Sequence, residues 1–467
     1  MCRINLSRAL CFYLLSFLLL ACQPPNFTEL KEAPTSFLRI GKNSDSVRNN
    51  KNNKISNDSP LRLGEILDGS LANKNQGSDF IEIIKFAINK DPNIISARRD
   101  LEAKLAAIKI NEAQKDFQVG TTFYGGIEDV TDNTKGVALA FNASRLVFDG
   151  GKLDYQIESA VLTAEAAKMS LAADIDMRAF ELCQIWLELE KYKKLQKLID
   201  ARLQVLDPLI AQLEQVAKAG IGDVSKVTAA QRTVSAIRVE KTNITEGLAQ
   251  AEVAFMNALG SVDSNVGFDY DFISSIVPAK FDEKIVQNSP MLLSQYAIYQ
   301  AALAQVKALR ARDSFDVGFE ARAMRPFAGS GYDSDESIGF VGRKTLFNGD
   351  LLESQLQEAV ARAEASQAQI QATYRQGARA VRTALQNIKS MEQAILIAKD
   401  NAKLTSDEII YLRQQLIIGG STLNSVLSSE ATLYEAESKE IKFLSEKYKS
   451  QLIIVSSLGL LGSALGF

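Results

Sequence analysis

RLVFDGGKL at 145–153 and KTLFNGDLL at 344–352 are the two stretches whose reading decides the fold. Each has an aliphatic residue and a Phe, then an acid or amide, then glycine. Phe148 precedes Phe347 by 199 residues, and Gly150 precedes Gly349 by the same interval. The interval recurs when 80–260 is slid against 279–459. AGIGDVSKV (219–227) falls on IGGSTLNSV (418–426), and ALG (258–260) falls on SLG (457–459). DPNI (91–94) and SPML (289–292) match within one residue of that register. Self-similarity at a fixed interval marks a repeat architecture, so the body of the chain is a tandem duplication.

Between its landmarks each copy changes period. Residues 80–116 are helix formers broken at Asp91-Pro92. In GVALAFNAS (136–144), Val137, Leu139, Phe141 and Ala143 alternate with Ala138, Ala140, Asn142 and Ser144. In FDVGFEARAMR (315–325), Phe315, Val317, Phe319, Ala321 and Ala323 alternate with Asp316, Gly318, Glu320, Arg322 and Met324. Period two predicts strands with one apolar face. The turn-rich PFAGSGYDSDES (326–337) leads into a return strand ending near Leu346. Each copy therefore holds one hairpin, about 118–148 and about 314–347, with strands of the ~10 residues that cross a bilayer in a tilted barrel. Four strands cannot close such a barrel alone, since about eight is the minimum. Either the hairpins form a soluble sheet packed on helices, or several chains share one barrel.

After each corner the helical pattern returns. Residues 152–218 contain one Pro, Pro208, expected to kink or bend the helix, before Gly220 and Gly222 stop it. Such a run spans on the order of 100 Å. Ile199, Leu203, Leu206, Ile210, Leu213 and Ala217 recur at steps of four and three. Val227 to Ala258 on the return helix and Leu427 to Val455 in the second copy keep that rhythm, which is coiled-coil spacing.

The ends and the composition bound the rest. Arg3 and Arg8 precede an apolar run, ALCFYLLSFLLLA (9–21), too short for a confident membrane span and shaped like a signal peptide over 1–21. It ends LLLAC, which resembles the lipobox of bacterial lipoproteins. The resemblance implies lipidation of Cys22, with Gln23 rather than Asp directing the chain to the outer membrane. Residues 22–78 are rich in Asn, Lys and Ser and read as a flexible lipid-anchored segment. A connection at 261–287 joins repeat 1 (79–260) to repeat 2 (288–460), and 461–467 is a tail.

A formal charge of −3 gives no support to nucleic-acid binding. The chain has no histidine, which removes the commonest general base and metal ligand. No nucleophile–base pair, metal-ligand cluster or cofactor motif stands out; GIGDVS (220–225) lacks the Lys-Ser/Thr of a phosphate loop. Enzymatic activity is not expected, nor is a cofactor. Cys183 is the one cysteine of the body and reads as a small core residue.

These residues together resemble the TolC family of trimeric outer-membrane export ducts. The resemblance covers about 80–460 and rests on the duplicated helix–hairpin–helix–helix plan, the corners Leu146–Gly151 and Thr345–Asp350, and the glycine-marked tips. The second tip, IIGGSTLNSVLSSEATLY (417–434), is similar to the family's VGTxTxxDVLxAxxxLY stretch. It implies an α+β membrane protein: long helical hairpins forming a periplasmic tunnel, and four strands per chain in a twelve-stranded barrel shared by a homotrimer.

Each corner, with Phe148 and Gly150 or Phe347 and Gly349, is then where a lipid-embedded strand turns into a helix. The implied function is a passive exit duct in a tripartite export system for drugs, ions or secreted proteins. Its partners would be a periplasmic adaptor, an ABC or proton-driven inner-membrane pump, and outer-membrane lipid. The tip glycines Gly220, Gly222, Gly419 and Gly420 would meet the adaptor. Where the family carries gate aspartates this chain has Ser425 and Ser428, and its first tip offers Asp223 and Lys226 as gate candidates. Asp316, Glu320 and Arg322, with Arg325 near the mouth, would line the barrel. The competing reading is a non-channel periplasmic coiled-coil adaptor or structural lipoprotein.

Overall fold

A computed structural model describes residues 79–129, 134–219, 224–261, 266–278, 283–329, 332–418 and 422–467. The signal peptide, Cys22, the 22–78 segment, Gly220, Gly222, Asp223, Gly419 and Gly420 lie outside the described residues.

The first repeat runs α1 (Phe80–Lys90), α2 (Pro92–Ala113), β1 (Gln118–Asp129), β2 (Thr134–Phe148), α3 (Lys152–Lys218) and α4 (Val224–Leu259). Short helices α5 (Tyr270–Ile276) and α6 (Glu283–Val286) follow. The second repeat runs α7 (Pro290–Ala311), β3 (Asp316–Gly329), β4 (Asp335–Arg343), α8 (Leu351–Ile417) and α9 (Leu423–Leu458), and a last turn α10 (Leu461–Ala464) closes the chain. The duplication is visible in helix lengths: α3 and α8 each have 67 residues, and α4 and α9 each have 36.

Asp91 explains the break between α1 and α2. Its side chain accepts the Asn93 amide at 2.8 Å, and Pro92 occupies the first turn, where its missing N–H costs nothing. Arg178 of α3 reaches the same carboxylate at 2.8 Å and ties the cap to the long helix.

All four strands join in one antiparallel sheet of order β1-β2-β3-β4. β2 pairs with β3, so the two repeats meet strand to strand. Register puts Phe319 opposite Arg145 and Phe340, and Asn142 opposite Arg322. The return strand of the second hairpin ends at Arg343, short of the Leu346 expected. β3 begins at Asp316, whose partner is Arg343, so β4 has nothing to pair with beyond it. β2 continues to Phe148 because β3 still offers Val317 there.

The seams expected from the four-three rhythm are the buried faces. Ile199, Leu203, Leu206, Ala230, Val234, Ile237, Ile244, Leu427 and Tyr434 form one core between α3, α4 and α9. Pro208 stands inside an unbroken helix. A second core lies around Trp186, whose ring is 4.9 Å from Phe80 and 5.2 Å from Phe255. Cys183 is fully buried in it, and burial pushes its thiol up to about 12. The segment after α9 folds back into this core through Leu461 and Leu465.

Asp176 fastens that segment. It is buried on α3 and accepts the Gly462 amide at 2.7 Å. Desolvation raises its carboxyl to about 6, against the lowering effect of the Gly462 and Leu461 amides. A carboxyl whose folded value is raised takes up its proton more readily in the folded chain. The stability difference is therefore lost as pH rises from near 4 through about 6. The wild type is expected to be less stable at pH 8 than at pH 5 by an amount on the order of 2 kcal/mol from this group. Asp176→Asn should flatten that part of the pH–Tm curve. An unchanged slope in the variant would assign the dependence elsewhere.

Candidate functional site: corners, sheet faces and tips

At the first corner Asp149 is buried and accepts the Gly151 amide at 3.0 Å and the Leu153 amide at 2.7 Å. It therefore satisfies N–H groups that the start of α3 leaves without intrahelical partners. Gly150 and Gly151 are left-handed (φ 69° and 84°), a conformation costly for side chains with a Cβ. At the second corner Gly349 and Asp350 repeat it (φ 63° and 60°). Asp350 is the one non-glycine residue of positive φ among the described residues, and aspartate tolerates that region better than most. The duplicated motif thus encodes one backbone shape twice. The surroundings differ: a Cβ on Gly150 would lie 2.2 Å from Ser314 Oγ, whereas one on Gly349 meets nothing within 4 Å.

The sheet has two unlike faces. One carries Val119, Phe123, Leu139, Phe141, Phe319, Ile338 and Phe340. Five of these are exposed, with Ile338 at 76% and Phe340 at 71%. The other carries Thr122, Asn142, Ser144, Glu320, Arg322, Asp335 and Arg343. There Arg343 donates to Glu320 at 2.6 Å and 3.1 Å. Lys152, from the first turn of α3, lies 3.1 Å from Asp316 and ties helix to strand.

Asp316, Glu320 and Arg322 therefore share one face, as alternation predicts. Arg325 does not join them. It stands three residues from Arg322, opposite Leu139, on the apolar face, and its partner is Glu336.

At the tip ends, Lys226 and Ser428 are exposed and Ser425 is half-buried. Thr422 caps α9, accepting the Ser425 amide at 3.2 Å, and its hydroxyl is 2.9 Å from Ser425 Oγ. Ser425 thus has a local capping partner.

Sequence reasoning missed a buried ionic cluster above the tips. Glu430 of α9 is 3% exposed and receives Arg202 of α3 and, at 2.7 Å, Arg413 of α8. Arg202 also reaches Glu437 at 2.7 Å. Lys442 of α9 adds a link to Glu240 of α4 at 3.3 Å. Burial, then the charge of Glu240, pushes the nearby Tyr434 hydroxyl up to about 12. Position in a heptad could not have revealed the cluster, because its ion pairs join residues 17 to 235 positions apart.

No helix among the described residues is long and apolar enough to cross a membrane. Among them no three His, Cys, Asp or Glu side chains converge as metal ligands would.

Comparison with known proteins places this architecture. The family model described as outer membrane efflux protein matches residues 283–460. No curated protein sequence matches the chain. Among solved structures, VceC, the outer membrane protein of Vibrio cholerae, superposes with a TM-score of 0.70 at 19% identity, covering 81% of this chain and 95% of that one. CusC, in a structure concerned with transmembrane channel formation, gives 0.70 at 16%, covering 80% and 91%. The CmeC outer membrane channel of Campylobacter jejuni gives 0.68 at 11%, covering 84% and 90%. At such identities the likeness is one of fold. Residues 283–460 are thus similar to the outer membrane efflux protein family, and the described chain carries the fold of these solved outer-membrane proteins.

Proposed function

We propose that three copies of this chain form an outer-membrane exit duct, fed by a periplasmic adaptor and an energised inner-membrane pump. One observation carries the reading. A four-stranded sheet with an exposed apolar face and a polar face has two open edges, β1 and β4, and continues into helices of 67 residues. An apolar sheet face suits lipid, and backbone edges in lipid need partners. A second and third copy supply them, giving twelve strands with Asp316, Glu320 and Arg322 lining the lumen. The strands β1 to β3, of 12 to 15 residues, are long enough to cross a bilayer. A coiled-coil adaptor or structural lipoprotein would have no use for them. The lipid anchor at Cys22 belongs to the same proposal; a lipid-sized mass increment absent from Cys22→Ser is its check.

The adaptor would meet the tips at Gly220, Gly222, Gly419 and Gly420. We place the constriction at Lys226, Asp223, Ser425 and Ser428, where hydroxyls and a mixed pair of charges replace an acidic ring. Purified protein in a planar bilayer tests duct and gate together. Discrete openings are expected, shifting toward cation selectivity in Lys226→Asp, since a pore's ring charges set its preference. Openings of unchanged selectivity would move the constriction elsewhere. A folded monomer without conductance would sink the duct.

A further inference from the structure

We propose that Arg375, Arg379 and Lys389 on α8 form a docking surface for an acidic helical segment of another protein, a surface distinct from the duct and its tips. Between Glu364 and Glu392 this helix has no carboxylate, and its cations are Arg375, Arg379, Arg382 and Lys389. Steps of four, three and seven keep them on one face, over about 21 Å. Arg375, Arg379 and Lys389 are exposed and have no ion-pair partner among the described residues, while Arg382 has an interaction of its own. The buried side of the same turns is occupied: Val381 and Ala384 pack with Val286, Ile454 and Leu458.

The duplication shows that this face is one that gets covered. Counting back 199 residues, Arg375 corresponds to Asp176, Arg379 to Phe180 and Arg382 to Cys183. In the first repeat Asp176 and Cys183 are buried and Phe180 packs against the core. Their cover is the 11-residue helix α1, through Phe80, Ile83, Ile84 and Ile88, together with the segment at Leu461 and Leu465. At the matching place in the second repeat, among the described residues, stands the four-residue α6, whose Val286 packs with Val381 and Ala384. The result is a face that in the first repeat lies under an 11-residue helix and in the second leaves Arg375, Arg379 and Lys389 exposed beside α6. Arginine forks fit carboxylates in bidentate pairs, so the complementary occupant is a helix bearing spaced Asp or Glu. Lipid headgroups are a poor match, because Arg375 lies about 36 Å along α8 from its start beside the sheet.

The test is fluorescence anisotropy on the full chain in detergent, using a labelled helical peptide of about 20 residues with Glu spaced to match the row. Binding is expected to weaken by about tenfold or more in R375Q/R379Q/K389Q, and to fall with added salt. R99Q/K104Q/K109Q, which removes exposed cations of α2, should bind as the wild type does. Equal binding of a Gln-for-Glu peptide, or of unstructured polyglutamate, would overturn the proposal. So would equal loss in the α2 variant. Absence of binding to intact trimer would also overturn it and assign the row to the contact between copies, leaving the duct reading standing. Conductance tests the duct independently.

Discussion

Replacing Glu430 with Ala is expected to lower the unfolding free energy by about 3–5 kcal/mol, because it leaves Arg202 charged, poorly solvated and short of a partner. Arg202 is only 13% exposed and would keep Glu437 alone. Arg413, half exposed, can turn to water. Arg202→Met should cost less, since Glu430 retains Arg413. The double change Arg202→Met with Glu430→Leu should recover much of the loss, as buried ion pairs replaced together by apolar side chains are often close to neutral. Denaturant unfolding of the four proteins checks this. If Glu430→Ala costs no more than a surface substitution, the cluster is hydrated and its link between α3, α8 and α9 is weak. Because the cluster joins helices of both repeats above the tips, its loss should also loosen the tips, visible as faster amide exchange in 423–437.

The second large effect is expected at the corners and depends on which copy is changed. Gly150→Val should destabilise strongly, by roughly 3 kcal/mol or more, combining left-handed strain with overlap onto Ser314. Gly349→Ala should cost only about 1–2 kcal/mol, the left-handed penalty alone, because nothing lies within 4 Å of the added carbon. Thermal unfolding separates the cases. Equal losses at both corners would mean that strain dominates and the Ser314 contact yields freely. Gly150→Val combined with Ser314→Gly should regain part of the deficit if that contact is rigid.

Much of the fold was legible in the chain. The 199-residue offset required two equivalent long helices, and α3 and α8 have identical lengths. Alternation assigned the faces of β2 and β3 correctly because side-chain direction in a strand is a local property of the backbone. The coiled-coil seams were legible for the same reason: a four-three spacing defines a stripe on a helix whatever packs against it.

Other features needed the third dimension. The end of β4 depends on where its neighbour β3 begins, so KTLF at 344–347, though matching RLVF at 145–148, is not strand. Ser425 and Ser428 stand where the resembled family carries gate aspartates, yet the Ser425 hydroxyl lies 2.9 Å from that of the helix cap Thr422. The partners of Glu430 come from two other helices, and the cover over Asp176 comes from residues 286 positions later. The sequence alone determined repeat, period and corner, since these rest on local conformational preference and burial stripes. The tertiary structure decided strand ends, buried charges and how the two equivalent faces are covered, because those depend on atoms brought together from distant parts of the chain.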